Sequence, residues 1–594
     1  MKKKDLFPIL LILALFLAYP TIDRKVMTKI FPPKARPAPA AVDNAKAPDI
    51  PAETALAEPE AAGQATGEPA AAAETAEVEP ASAEEQAPEV LSSLKNDRIE
   101  LTLSSHGAGI VRCALVARRD GKLQYPASKG SDQPVAFDFS DRPAAAPVGY
   151  PGLGQRAAFE VVAATDNAVA YRKTLDNGLV IDRKLTLGAG YQVQIEDRIQ
   201  NSSAAPVALR NYGLQAGFME NLPGEAAGQQ GPLLGVDTLT GSEAVQYWGP
   251  KFEKWFPVGG DGKSVALPGS GEEPIPVDWA AVKNKYFTQV LAPAEGAERC
   301  FVNAARGQPV QTTFMLFFPR TTVPIGRVAA RVEMPDYDLA PGQALAQNAT
   351  FYLGPKVYAE LKANGPHQED ILQLGFWRVI GIWILKIMVW IHDHVWPFNY
   401  GVAIILLTFL IRIVFWPLNH KSMASTRHMQ EIQPLITAVR EKYKDSPQKQ
   451  QQEMMALYKE HKINPMGGCL PMLIQIPVFF ALFVVLRGAI ELRFSSFLWI
   501  ADLSTPENLF KNVLPFPINI LPLFMGVTMW VQQKMTPTSD PQQQKMMMMM
   551  PVLFTFMFYS FPSGLSLYWS VNQVMMIFQL AWMKKFHHAP LAKK

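Results

Sequence analysis

The residues best placed to do chemistry lie in the last third of the chain, and the most informative is Arg412. It falls inside an apolar run, Val402–Leu418, eight positions before His420 and so about 12 Å along a helix from that end. An arginine at the centre of a membrane helix is disfavoured by about 2.5–3.5 kcal/mol on insertion scales. An acidic partner commonly offsets such a charge. Yet the five apolar runs of this region, Val402–Leu418, Leu470–Leu486, Ile518–Val531, Met546–Phe561 and Leu565–Met583, contain no Asp or Glu. Either the side chain snorkels to the cytoplasmic headgroups, or it faces a water-filled recess between helices, open to the cytoplasm.

Neighbouring polar residues favour the recess. Thr408 precedes Arg412 by one turn on the same face, and Gln475 stands in the next run between Pro471 and Pro477. In the last run Ser566, Trp569, Ser570 and Gln573 follow i, i+3, i+4, i+7 spacing, which puts them on one stripe, with Tyr568 and Asn572 on an adjacent face. Polar stripes are disfavoured against lipid and should turn inward. Ordinary interhelical hydrogen bonding, which needs no cavity, is the competing explanation.

Such a set offers polar contact and water, not bond-making. No GxSxG, HExxH or P-loop pattern occurs, and His392 and His394 lack a third ligand at a recognisable spacing. No catalytic residue, metal site or cofactor is indicated. A net charge of +3 argues against a nucleic-acid binder, and direct nucleic-acid readout is not expected. Cys113, Cys300 and Cys469 are far apart and receive no role.

The elements that must position these residues divide the 594-residue chain into unequal parts. Residues 1–31 open with Lys2–Lys4 and the apolar stretch Leu6–Tyr19. This reads as an uncleaved signal-anchor helix rather than a cleaved peptide, because Phe16-Leu17-Ala18 lacks a small-x-small site. Residues 32–90 are rich in Ala, Pro and Glu. Twelve acids against Lys34, Arg36 and Lys46 give them a net charge of −9, which predicts a disordered linker. Residues 91–355 turn to short β-type runs; Tyr171–Leu175 and Leu179–Leu187 flank Asp176-Asn177-Gly178, a tight-turn signal, and Tyr191–Ile199 alternates. An antiparallel β-sandwich with one or two late helices is expected.

Residues 356–397 hold a linker and the apolar stretch Phe376–Ile391, interrupted by Arg378 and Lys386. Two cations are cheaper in headgroups than in a span, so an amphipathic helix lying on the outer interface is expected, with a seventh span as its rival. Residues 398–594 carry the five runs, a basic loop 419–466 and a basic tail. With the anchor, six spans place that loop, the tail and Lys534, Lys545, Lys584 and Lys585 inside, as the positive-inside rule requires. Ile432, Leu435, Ile436, Val439 and Tyr443, then Met454 and Tyr458, recur at helical spacing on either side of Asp445-Ser446-Pro447, so the loop predicts a helical hairpin. The spans are short: Ile518–Val531 supplies about 14 apolar residues where about 20 are usual, and short helices thin the bilayer around them. A thin membrane beside a wet recess lowers the barrier for a polar flank crossing with its hydrophobic segment. The run Met546–Met550 reads as apolar filler.

Thr408–Leu418 (TFLIRIVFWPL), Gln452–Glu460 (QEMMALYKE), Asn464–Pro471 (NPMGGCLP), Leu473–Pro477 (LIQIP), Met525–Met535 and Phe561–Tyr568 (FPSGLSLY) together resemble the YidC/Oxa/Alb family, in the layout of its Gram-negative branch. The resemblance implies a membrane protein insertase and chaperone of the bacterial inner membrane. It implies a five-helix core plus anchor and a periplasmic β-supersandwich. It implies a hydrophilic groove in the inner leaflet with Arg412 as its positive residue and Thr408, Gln475, Tyr568 and Trp569 where clients pass. It also implies nascent membrane proteins as clients, the Sec translocon as a partner, and ribosome contact through the cytoplasmic hairpin and tail. Arg487 and the methionine run depart from the family pattern. A secondary transporter is the first rival, but no internal repeat is visible; an anchored periplasmic sugar-binding protein is the second, which fold alone does not decide.

Overall fold

The computed structural model describes residues 88–586 apart from 223–232, 242–243, 258–263, 268–275, 315–317, 420–427, 430, 462–469, 511–512, 514–516 and 536–540. The expected anchor and most of the expected linker therefore lie outside the described residues, as do both flanks of the basic hairpin and the tail 587–594.

The first half is a β domain built on a nine-stranded antiparallel sheet. Its strands are β1 (Glu160–Ala164), β2 (Ala168–Thr174), β3 (Leu179–Leu187), β4 (Gln192–Asn201), β5 (Gly235–Thr240), β6 (Ala244–Tyr247), β7 (Trp279–Lys283), β8 (Phe287–Pro293) and β9 (Ala344–Pro355). They lie in the order β6-β5-β7-β8-β9-β4-β3-β2-β1. A six-stranded sheet centred on Ile325–Glu333 covers one face, and a four-stranded sheet begins at Leu91–Lys95. One apolar core joins them. The expected hairpin forms: β2 and β3 pair Thr174 with Val180, and Gly178 takes φ +81°, which a side chain would resist. Along β4, Val193, Ile195 and Ile199 point inward as alternation requires. Asp197 points inward too, opposite Arg183 of β3, and the two form a buried ion pair at 2.9 Å. A second buried pair joins Asp237 of β5 to Lys283 of β7 at 2.5 Å. Cys113 and Cys300 are buried and unpaired, and burial pushes both thiols up, Cys300 to about 12.

The second half is helical. Its helices are α1 (Arg378–His394), α2 (Tyr400–Val414), α3 (Gln433–Lys442), α4 (Pro447–Glu460), α5 (Leu470–Gly488), α6 (Ile520–Met535), α7 (Pro541–Phe558) and α8 (Ser563–Phe586). Local chemistry sets their starts. Asn399 caps α2 by accepting from the Gly401 and Val402 amides at 2.8 and 3.4 Å. Glu507 caps the start of α6 through the Leu521 amide at 2.9 Å. Pro447 opens α4, with Ser446 as its N-cap, which separates α4 from α3 at the expected break. Gly526 of α6 lets α7 come close, since a Cβ there would meet Thr555 Oγ1.

By length and composition, one helical stretch among the described residues is long and apolar enough to cross a membrane: Gly375–His394. Its fastenings nevertheless point to a helix lying along the β domain. At its start Arg378 pairs with Glu369 and Asp370, whose segment is held to the β domain by Lys283, which donates to the Ile371 carbonyl at 2.9 Å. Midway, the Lys386 ammonium sits 5.3 Å from the Tyr358 ring. At its end Asp393 pairs with Arg119 of the β domain at 2.9 Å. A helix of 17 residues runs about 25 Å, and a crossing helix of that length cannot keep both ends against one outer domain. Ile384, Leu385, Met388 and Ile391 pack on the bundle while Val379, Trp383 and Trp390 stay exposed, so the helix has one covered and one open face.

Residues 489–519 bind the two halves together. Ile490 enters the β-domain core, Arg493 donates to the Pro126 carbonyl at 2.9 Å, Lys129 donates to Ala501 at 2.8 Å, and the Tyr286 hydroxyl donates to Ser504 Oγ at 2.8 Å. The end of α5 and the starts of α2, α6 and α8 thus lie on the β-domain side. Glu491 sits in this seam near Tyr125 and Tyr400, and burial raises its carboxyl to about 7. Because the folded value lies above the ordinary 4.5, its contribution to stability is full below about pH 4.5 and is lost as pH rises through about 7. Glu491→Gln should flatten the pH dependence of thermal unfolding across that window; an unchanged profile would show that Glu491 is not the group responsible.

Candidate functional site

The polar residues singled out in the sequence fall into three places around α8. The first is the Arg412 cluster. Arg412 is 12 residues into α2 from Tyr400, about 18 Å from the β-domain side, and its guanidinium turns into the bundle, where it is 6% exposed. Nε donates to Asn572 Oδ1 and an NH2 group to the Asn572 carbonyl, both at 2.7 Å. No acid neutralises it among the described residues: Asn572 offers only dipoles. Beside it Gln475 of α5 donates to the Tyr568 hydroxyl at 3.3 Å, and Tyr568 is fully buried. The structure therefore brings Arg412, Asn572, Tyr568 and Gln475 together from three helices. Thr408 is buried on the Arg412 face, but its hydroxyl donates to the Ile404 carbonyl of its own helix at 2.7 Å, a back-bond that satisfies it locally.

The second place is aromatic. Trp569 packs among Phe479, Phe554 and Phe558, with ring centroids 5.1, 5.7 and 5.5 Å away. Its indole N–H is buried with no hydrogen-bond partner among the described residues. The third comprises Ser566, Ser570 and Gln573, all buried; neither serine hydroxyl has a partner among the described residues. Ser570 lines an apolar cavity on the side of α8 away from Asn572. Helical spacing alone did not reveal that split, because it gives the face of a residue and not the neighbour that the face meets.

One residue was missed. Gln579 is buried on α8, and its amide nitrogen has no partner among the described residues. Tyr568, Asn572 and Gln579 stand at i, i+4 and i+11, which is one face of a helix, so the i+7 step beyond Asn572 was the available signal. His392 and His394 are accounted for without a metal: His392 bonds Asp393 at 2.8 Å and stacks on Tyr400 at 3.9 Å, and His394 bonds the Trp390 carbonyl at 2.9 Å.

A bundle of apolar helices, tied to a β domain and enclosing an arginine that no acid neutralises among the described residues, is the build of an integral membrane protein with a polar interior. Comparison with known proteins gives this class its family. The family described as "60Kd inner membrane protein" matches residues 390–590, and that described as "YidC periplasmic domain" matches residues 92–391. The membrane protein insertase YidC of Syntrophus aciditrophicus is 34% identical over 83% of this chain and 80% of its own length. That of Pelobacter propionicus is 48% identical over 44% of this chain, a match that spans 48% of its own length. The chain belongs to the YidC family of membrane protein insertases.

It is accordingly a protein of the inner membrane with a periplasmic domain, largely β-sandwich, and a helical C-terminal region. Proteins of this family are named as insertases and are not enzymes. Among solved structures, an active YidC insertase with its first transmembrane domain resolved aligns over 84% of this chain and 96% of its own, with TM-score 0.34 and 18% identity. A galactose mutarotase related enzyme from Lactobacillus acidophilus aligns over 45% of this chain and 97% of its own, with TM-score 0.28 and 12% identity. A partial likeness at that level assigns no sugar chemistry to the β domain.

Proposed function

We propose that this protein moves hydrophobic segments of newly made proteins into the inner membrane through a polar groove open to the cytoplasm and to lipid. In this reading an N-terminal anchor (1–31) and a flexible linker (32–90) precede the periplasmic domain (91–355). The interfacial helix (356–397) leads into a five-span core (398–594), with the hairpin 419–466 and the C-terminus in the cytoplasm. Arg412 attracts the polar or acidic flank of a client, Asn572, Gln475 and Tyr568 exchange hydrogen bonds with it, and the hydrophobic segment leaves sideways into lipid. Thr408, Ser566, Trp569 and Gln573 belong to the wall of this path, whereas Ser570, expected there from its spacing, faces the apolar cavity on another side of α8. The protein acts alone on small clients and beside the Sec translocon on larger ones, chaperones what it inserts, and meets the ribosome through its basic hairpin and tail.

The observation that carries this reading is the Arg412–Asn572 pairing. Among the described residues a full positive charge is held between helices by amide dipoles alone, at a depth where insertion of an arginine costs about 2.5–3.5 kcal/mol. A charge retained at that cost without a counter-ion is free to attract one that arrives with a client. The test is reconstitution: the purified full-length protein in liposomes should protect the translocated flank of a short single-span client from external protease. Protection equal to that of empty liposomes would reject the proposal, and solute uptake in its place would favour a transporter.

A further inference from the structure

We infer that the protein binds one phospholipid acyl chain from the outer leaflet in a slot between α2, α6 and α8. A cavity of about 320 Å³ lies there, walled by Phe409, Ile520, Phe524, Leu567, Val571 and Val574 and closed above by Trp499. Apart from the Trp499 indole N–H, Ser570 carries the one polar side-chain group among the described wall residues. Phe409, Ile520, Phe524, Val574 and Trp499 are each more than two-fifths exposed on the outer surface of the bundle, so the slot is continuous with the wall that meets lipid.

Depth and lining choose the occupant. The mouth is at the starts of α6 and α8, the ends tied to the periplasmic domain: Gly564 N–H donates to the Leu503 carbonyl at 2.9 Å, and Lys129 reaches Ala501 in the same loop. From Leu567 the wall descends to Met575 on α8, about 12 Å, close to the ~15 Å of one leaflet's hydrocarbon. An almost wholly apolar wall of that length, at the depth of the outer leaflet, suits a single flexible hydrocarbon chain. At the mouth Trp499 is held in place by donating its indole N–H to Glu507 Oε1 at 2.7 Å, an aromatic at the depth where such rings mark the membrane interface.

Position gives the chain its role. On α8 the slot residues Leu567, Val571 and Val574 lie about a third of a turn round from Tyr568 and Asn572. A chain seated there wedges α8 between α2 and α6 and fixes the azimuth at which Asn572 meets Arg412. The full-length protein, purified in mild detergent and washed free of bulk lipid, should retain one phospholipid by native mass spectrometry. Filling the slot with Val571→Phe plus Val574→Phe should lower that occupancy about tenfold, a change of about 1.4 kcal/mol in binding, whereas Val527→Phe on the exposed face of α6 should leave it intact. A photo-crosslinking residue at Val571 should add the mass of a phospholipid in liposomes that contain no client. Equal retention in the filled and unfilled proteins would overturn the inference. So would no lipid adduct at Val571, and the crosslink stands whether or not the double variant folds.

Discussion

Replacing Arg412 with leucine should lower insertion of a client whose translocated flank carries an aspartate by at least about tenfold, while a client with a neutral flank loses much less. The size follows from the barrier. An acid at the bilayer centre costs about 2.5–3.5 kcal/mol, and at 1.36 kcal/mol per decade the whole of it corresponds to roughly 70–400-fold. A single cation that recovers half of that barrier is worth about tenfold. Stability should hardly move. The substitution strands the Asn572 side-chain oxygen and carbonyl, at about 1–3 kcal/mol, but also removes a charge that cost about as much to place. The informative result is the separation: similar melting temperature, unequal loss between the two clients. Arg412→Lys should restore most of the aspartate-flank activity, because it keeps the charge and gives up only the fork of hydrogen bonds. If both clients are inserted at the parental rate by the leucine variant, the groove is not electrostatic and the reading of Arg412 fails.

The second large effect is expected in the β domain. Lys283→Met should destabilise the folded protein by about 3–5 kcal/mol, since it takes the paired cation from the buried Asp237 carboxylate and leaves it the hydrogen bond from the Gln373 amide at 3.3 Å. Both members of the pair are fully enclosed. Burial holds the Asp237 carboxyl above the usual aspartate value and the Lys283 ammonium below the usual lysine value, each against the pull of the other. Replacing both, Asp237→Leu with Lys283→Met, should recover most of the loss, because two apolar side chains carry no desolvation cost. One deficit should persist in the double variant: the Ile371 carbonyl loses its donor, so amide exchange across 368–373 should rise even where global stability returns. Denaturant unfolding of the full chain measures the first, and hydrogen exchange the second. Equal stability of the single and double variants would show that the charges were never strongly coupled.

These two sites differ in how readable they were. The Arg412 cluster was legible because a charge in an apolar run stands out, and helical spacing places Tyr568 and Asn572 on one face. The Asp237–Lys283 pair was not. A strand's alternation marks which residues share a face, but a charge at an inward position is read as an outward one until its partner is known, and that partner sits in another strand with more than 40 residues between. Asp197 and Arg183 were equally hidden, although they stand on neighbouring strands only 14 positions apart. Local signals were reliable where the cause is local: Asp176-Asn177-Gly178 turned because glycine accepts φ +81°, and Pro447 opened a helix where a break was expected. The seam at 489–519 had no signature in the chain, because nothing near Arg493 foretells the Pro126 carbonyl. Ser570 shows the limit on helices: its face followed from its spacing, but the apolar slot it meets belongs to two other helices.

That seam has a mechanical consequence. Arg493, Lys129, Tyr286 and the Arg119–Asp393 pair clamp the outer domain to the linker helix and to the loop from which α6 departs. A soluble domain hung on a slack tether would swivel and absorb any tug. Here traction applied to the sandwich would pass, with little slack, to the mouths of the helices below.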